Sequence, residues 1–371
     1  MTSIKAALAN LVSQMQPPES ELPEAELVAG PATIEELAHL LAQANAAGLK
    51  VLVWGGGSHQ GLGGRVTPDL LLVTTALDRI IAWEPEDLTV VAEGGVAAAR
   101  LEDHLGGRGQ TALLPTQPLQ ATIGGVIAAG ISSYRRGRYG PTRDRILEVT
   151  LVTGDGRVVR GGARVVKNVT GYDLPRLAAG SLGSIGVIAS VCLKLWPLSA
   201  AAATVVVDDP ERVAALVYRP LAIISTRHNT RVYLAGTEAE VNSQIGRLGG
   251  DGQLGHDWPA DPPGGMRWSL RVPPALVNYA LTKLPSTWSY VAQHGVGLVE
   301  AGSDDLEGAV ELREWSEAIG GALVLAAAPD EVYGLIDPWG TPPATLDLQR
   351  RLIAAFDPGR ILNPGRLPGG V

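Results

Sequence analysis

Three consecutive glycines and a serine, Gly55, Gly56, Gly57 and Ser58, follow directly on the apolar run Val51–Trp54. Glycines in a row reach backbone angles closed to other residues, so their N–H groups can converge on one anion. The chemistry such a loop supports is the holding of a nucleotide's phosphates. His59, Gln60 and Gly61 continue the turn, and no helical pattern begins immediately after it. Further along, Thr122, Ile123, Gly124 and Gly125 form a second cluster of small residues. A third, Gly180-Ser-Leu-Gly-Ser-Ile-Gly186, runs into the apolar stretch that starts with Val187 and Ile188. Each cluster alone reads better as a tight turn than as a ligand site.

The common nucleotide motifs do not fit. A dinucleotide fingerprint needs a glycine where Gln60 stands, and no Gly-Lys-Ser/Thr makes a P-loop. Neither a His-Glu-x-x-His pair nor a Gly-x-Ser-x-Gly elbow occurs. Histidines 39, 59, 104, 228, 256 and 294 are scattered, so no metal site is expected. A single cysteine, Cys192, cannot make an internal disulfide, a cysteine zinc cage or a self-contained iron–sulfur cluster. Its apolar neighbours predict a buried strand position rather than a reactive thiol.

These loops need elements to hold them. Thr33-Ile-Glu-Glu36 is a capping box opening a helix with Ile34, Leu37, Leu40, Leu41 and Ala44 on one face, closed by Gly48. The strand Lys50–Trp54 leads into the glycine loop. Strands are predicted at Leu70–Val73, Arg79–Trp83 and Leu88–Glu93, a helix at Ala97–Leu105, and a loop from Thr111 to Pro118 that contains Pro115. Ile146–Thr153 and Arg157–Arg160 flank Gly154-Asp-Gly156 as a β-hairpin. Val187–Trp196 is a strand, and Pro197 with Ser199–Ala203 reads as a linker.

Beyond it the pattern alternates. Strands are expected at Thr204–Val207, Ala222–Thr226, Arg231–Ala235, Trp268–Val272, Ser289–Gly295 and Ala322–Ala327. Helices are expected at Pro210–Tyr218, Glu238–Leu248, Pro274–Leu284 and Leu306–Ile319, with a loop over Gly249–Gly265. Two β-α-β-β-α-β passes would give an antiparallel sheet with helices on one face. Leu346–Phe356 reads as a helix before the turn-rich Asp357-Pro-Gly-Arg-Ile-Leu-Asn-Pro-Gly365.

At 371 residues the chain suits two domains. Its net charge of −8 argues against nucleic acid as a partner, since a binder needs a basic surface. No window approaches 18 unbroken apolar residues, so no integral membrane segment is expected. The opening Met1–Gln16 is not a convincing secretory leader, and a soluble cytoplasmic protein is the expectation.

Taken together and in order, Gly55–Ser58, Pro115, Thr122–Gly125, Tyr139-Gly140 with Arg143-Asp144, and Gly180–Ile188 closely resemble the FAD-binding domain of the vanillyl-alcohol oxidase, or p-cresol methylhydroxylase (PCMH), family. The resemblance covers roughly residues 28–197. It implies an α+β fold: a two-subdomain PCMH-type FAD-binding domain (1–197, with a subdomain break near 75), then a ferredoxin-like antiparallel-sheet cap (198–342). Residues 343–371 would form a C-terminal segment returning to the FAD domain. It further implies noncovalent FAD, because Ser58 holds the position where relatives with a covalent flavin carry histidine. Gly55, Gly56, Gly57 and Ser58 would cradle the pyrophosphate, with His59, Gln60 and Gly61 completing the turn. Pro115, Thr122, Ile123, Gly124 and Gly125 would lie along the flavin and its ribityl chain. Gly180, Ser181, Gly183, Gly186, Val187 and Ile188 would close over the adenine end and the phosphates. Small residues would be needed because the cofactor lies against the backbone.

Val165-Val-Lys-Asn-Val-Thr-Gly-Tyr-Asp-Leu174 and the short second half narrow the resemblance to the smaller, E-type FAD-binding subunits of bacterial glycolate oxidases. The expected reaction is then oxidation of a small hydroxy acid, glycolate to glyoxylate. The expected partners are a larger flavoprotein subunit and an iron–sulfur subunit, which could bring the protein to the inner face of a membrane. Lys167, Asn168, Tyr172 and Asp173 read as a structural loop. The His-x-Gly-Asp-Gly-Asn segment of the larger relatives is absent; Arg227, His228 and Arg231 form the nearest candidate cluster for substrate chemistry but read better as a solvated strand edge. A stand-alone flavin oxidase or dehydrogenase for another small substrate stays open, as does a catalytically silent subunit stabilised by FAD.

Overall fold

The computed structural model describes residues 12, 22–23, 25–165, 171–249 and 252–371, with backbone only at 211 and 214. Lys167, Asn168 and most of the N-terminal segment lie outside the described residues. The chain divides into two compact units. The first comprises the described residues up to Ser133, with Pro141–Pro197 and Pro342–Val371; the second comprises Tyr134–Gly140 and Leu198–Thr341. The short Tyr134–Gly140 excursion into the second unit is invisible in the sequence, because no linker composition marks it.

In the first unit, strands β1 (Leu27–Ala29), β2 (Val51–Trp54) and β3 (Leu70–Val73) form a parallel sheet in the order β1-β3-β2. The helix Ile34–Ala47 packs on it. Thr33 Oγ1 accepts from Glu36 N at 3.1 Å, the Glu36 carboxylate accepts from Thr33 N at 3.3 Å, and Gly48 ends the helix at φ +66°. Its buried stripe of Leu37, Leu40, Leu41 and Ala44 joins Val51, Leu70 and Leu72 in one core.

An antiparallel sheet follows: β4 (Ile80–Glu84), β5 (Thr89–Glu93), β7 (Ile146–Val152), β8 (Val158–Gly162) and β9 (Val187–Lys194), in the order β4-β5-β9-β7-β8. The β7–β8 hairpin turns at Gly154–Gly156, with Gly156 at φ +83°. Strand β9 is central and buried along its length except at Lys194, which accounts for its unbroken apolar run. A two-residue pair joins β6 (Gln110–Thr111) to β10 (Trp196–Pro197). After the helix Leu346–Phe356 the chain returns alongside β2: Val51 N donates to Ile361 O and Asn363 N to Val51 O, both at 2.8 Å.

The second unit is an eight-stranded antiparallel sheet built from two β-α-β-β-α-β passes. The first pass holds β11 (Ala201–Val207), β12 (Ala222–Ser225), β13 (Thr230–Gly236) and β14 (Gly252–Leu254). The second holds β15 (Met266–Arg271), β16 (Ser289–Gln293), β17 (Leu298–Ser303) and β18 (Ala322–Ala327). The order β14-β11-β13-β12-β16-β17-β15-β18 sets the two passes side by side, joined where Ile224 and Ser225 pair with Gln293 and Ala292.

Residues alternate between faces. Val232 and Leu234 pack with the helical residues Val213 and Val241, while Tyr233 and Ala235 join Tyr134, Tyr139 and Trp258 on the other face. Trp258 stacks at 4.1 Å on Tyr233 and at 5.6 Å on Tyr134.

Several expectations change. Ala201–Ala203 is strand rather than linker, because pairing with β13 overrides alanine's weak strand preference. The expected Gly249–Gly265 loop contains β14, and β17, interrupted by Glu300 and Gly302, has no counterpart in the sequence reading.

Candidate functional site

Strand β2 delivers the glycine loop to a cleft in the first unit. Its walls are Val53, the Gly55–Gln60 loop, Thr74, the small residues Gly124, Gly125, Ala128 and Ala129, then Leu182, Gly183, Gly186, Val187 and Ile188, with Asn363 and Arg366. Among the described residues that line it there is no carboxylate, and Arg366 is one of them.

Of the predicted residues, Gly55, Gly56, Gly57, Ser58, His59, Gln60, Gly124, Gly125, Gly183, Gly186, Val187 and Ile188 converge on this cleft. Gly61, Pro115, Thr122, Ile123, Gly180 and Ser181 are not among its lining residues. Thr122 is buried and caps the helix Ile123–Ala128, its Oγ1 accepting from Gly125 N at 3.1 Å. Ile123 points into the apolar core, so neither side chain faces the cleft. Gly180 sits at φ +81° with its N–H on Ile127 O at 3.0 Å, and Ser181 is buried with its carbonyl accepting from Ser184. Pro115 is half-buried in the loop after β6.

The protein's own packing also constrains the glycines here. A Cβ on Gly56 would fall on the carbonyl of Gln120, and one on Gly55 on the Thr122 hydroxyl. Gly57, at φ +72°, would place a Cβ 2.7 Å from the Trp54 ring. Gly124 packs against Gly94, its N–H on Gly94 O at 2.7 Å. The protein's own close packing already leaves no room for a Cβ at these positions.

Two residues that the sequence reading left out tie the walls together. Asn363, 2% exposed, accepts from Val53 N at 2.9 Å and donates to Leu182 O at 2.6 Å, joining β2 to the third glycine cluster. Arg366, 5% exposed, donates to Leu62 O at 2.6 Å, to Gln60 O at 3.0 Å and to the Gln60 side-chain oxygen. Gln60 passes the tie onward, its amide donating to Val53 O at 3.0 Å. The only sequence signal was the turn-rich Asp357–Gly365 segment, which reveals a return but not its contacts.

A cradle of small residues and backbone, with a buried cation and no acid, has the donor set for an anionic nucleotide cofactor. The comparisons name that cofactor. Residues 25–162 match the family described as FAD binding domain. This stretch is an FAD-binding domain. Over 191 residues the chain is 31% identical to the glycolate oxidase subunit GlcE of Escherichia coli, covering 48% of this chain and 54% of that protein. It is 29% identical over 173 residues to the D-lactate dehydrogenase of Archaeoglobus fulgidus, 46% of this chain and 39% of that one. The chain thus spans about half or less of the curated relatives it matches. A solved carbohydrate oxidase from Microdochium nivale shares the fold with a TM-score of 0.68 at 17% identity, over 97% of this chain and 98% of that one. The PCMH-type FAD-binding fold and the antiparallel-sheet domain are both present.

The second unit's candidates for substrate chemistry do not converge. Arg227 donates to Trp288 O at 2.5 Å and to Pro285 O at 2.6 Å, and Arg231 pairs with Asp257 at 2.9 Å. His228 is exposed in the β12–β13 turn. Asp173 caps the helix Leu174–Ala178, and Tyr172 is almost wholly exposed.

Proposed function

We propose that this chain is the FAD-binding subunit of a glycolate oxidase (glycolate dehydrogenase) assembly, oxidising glycolate to glyoxylate. Electrons would pass to a larger flavoprotein subunit and an iron–sulfur subunit. The observation that carries this reading is the 31% identity to GlcE over 191 residues, 48% of this chain. The single cysteine adds to it, since this chain cannot supply a cysteine-ligated cluster of its own.

In this reading the backbone of Gly55–Ser58 faces the pyrophosphate, and Gly124 and Gly125 lie against the flavin side. Gly183, Gly186, Val187 and Ile188 close the other wall. Gly61, Pro115, Thr122, Ile123, Gly180 and Ser181 set the shape from behind. FAD is held noncovalently, with His59 engaged by Ser58 at 2.9 Å. Bound FAD supplies the two-electron acceptor for the C–H bond being oxidised.

A second reading, a dehydrogenase of another 2-hydroxy acid that works alone, is favoured by the likeness to D-lactate dehydrogenase. The test is anaerobic mixing of the purified flavoprotein with glycolate or D-lactate. Flavin that bleaches only after partner subunits are added supports the assembly. Bleaching of the isolated chain supports the second reading, and a chain that takes up no FAD sinks both.

A further inference from the structure

The run Tyr134-Arg-Arg-Gly-Arg-Tyr139 holds three arginines in four residues, and the cleft of the first unit uses none of them. Its last arginine, Arg138, lies on the short helix Arg136–Tyr139 and donates through Nη1 to Ala235 O of β13 at 2.7 Å. There it lines a pocket of the second unit, together with the Tyr218-Arg219 turn and the helix Glu238–Leu248. From that helix come Glu240, Ser243, Gln244 and Arg247, spaced by three, four and seven residues and therefore on one face. Tyr218 N donates to Gln244 Oε1 at 3.2 Å, which ties the turn to the helix. Arg219 follows at φ +47°, a left-handed conformation uncommon outside glycine.

Three guanidinium groups thus line one pocket against a single carboxylate, Glu240. That carboxylate is engaged at the helix start, accepting from Thr237 N at 2.8 Å and from Thr237 Oγ1 at 2.9 Å. Among the described residues, the side chains of Arg219 and Arg247 make no ion pair or hydrogen bond. Arg247 also sits in the last turn of its helix, where a cation suits the dipole, but that accounts for one charge of the three. Like charges drawn together oppose folding, so a cluster the fold does not use for itself points to a ligand. Three positive charges less one negative leave two, the charge of a phosphate dianion. A guanidinium fork also matches two oxygens of a phosphate at once.

We propose that this pocket binds a small phosphate-bearing anion. Arg138 is the donor already held in place by Ala235, and Arg219 and Arg247 supply the remaining charge. The site belongs to the second unit and shares no lining residue with the cleft of the first, so it does not rest on the function proposed above.

The experiment titrates inorganic phosphate into the full, FAD-loaded chain at constant ionic strength, read by calorimetry, with succinate as the dicarboxylate control. Wild type is expected to bind one phosphate saturably, with Kd of about 1 mM or tighter. Arg219→Gln and Arg247→Gln should each weaken binding about fivefold or more, and the double variant should abolish it. Arg160→Gln removes the same charge from an exposed position on β8 and should leave the affinity unchanged. Without phosphate, both pocket variants should melt no lower than wild type, because neither side chain bonds to the fold.

An absence of saturable binding overturns the proposal, as does binding that the pocket variants leave unchanged or that Arg160→Gln weakens equally. Succinate binding as tightly as phosphate overturns the ligand class. A pocket variant that melts well below wild type overturns it too, since its arginine would then be holding the fold.

Discussion

At the scale of single residues, the glycine loop works by what lies behind it. Gly56 has no room for a Cβ beside the Gln120 carbonyl, so any side chain must displace backbone. Gly56→Ala is expected to destabilise the FAD-free protein by about 1–3 kcal/mol, as overpacking does, as well as to weaken FAD retention. A variant with the melting temperature of wild type but no FAD would place the clash in the ligand's path instead. Cys192 makes the opposite point. It is 1% exposed in β9, and burial pushes its thiol up to about 11, with the Glu148 carboxylate adding to the shift. It is expected to resist maleimide labelling at pH 7.5 in the folded protein and to react fully in denaturant, as counted by mass spectrometry.

At the scale of elements, the second unit's sheet carries a costly group. Glu300 on β17 lies opposite Ser269 of β15, whose hydroxyl donates to it at 3.1 Å. Burial pushes its carboxyl up to about 7, against the pull of the Ser269 bond, Arg271 and Arg136. With an ordinary value of 4.5 in the unfolded chain, the folded protein keeps the proton over a range where the unfolded chain has lost it. Stability from this group is thus full below about pH 4.5 and lost as pH rises to about 7. Glu300→Gln should unfold in urea like wild type at pH 4.5 and be more stable by up to about 3 kcal/mol at pH 8. A difference that does not grow with pH would refute the assignment. The elements themselves were largely legible. The Thr33 capping box and the Gly154–Gly156 hairpin are local chemistry, and both form where their residues stand. Strands β14 and β17 were not, since each is short and interrupted, and only pairing with β11, β15 and β16 makes it a strand.

At the scale of the whole molecule, each unit has its own buried core, so calorimetry is expected to show two transitions. FAD binds only the folded first unit in this reading. Saturating it should raise that unit's transition and leave the other within about 1 °C. Equal shifts in both would mean that the units unfold together. No helix among the described residues is long and apolar enough to cross a membrane.

What the sequence by itself determined is local: a strand into three glycines, small residues at Gly124 and Gly125, a turn at Gly183–Gly186, and the order in which they occur. Those follow from backbone freedom and periodicity, which short stretches of chain carry. Only the tertiary structure decided which of these residues meet at one cleft, that Thr122 and Ile123 turn away from it, and that Tyr134–Gly140 belongs with the second unit. It also brought Asn363 and Arg366 to the loop they hold. Their hydrogen bonds join positions hundreds of residues apart, and no local pattern of types or spacing can encode a contact that exists only once the chain has closed on itself.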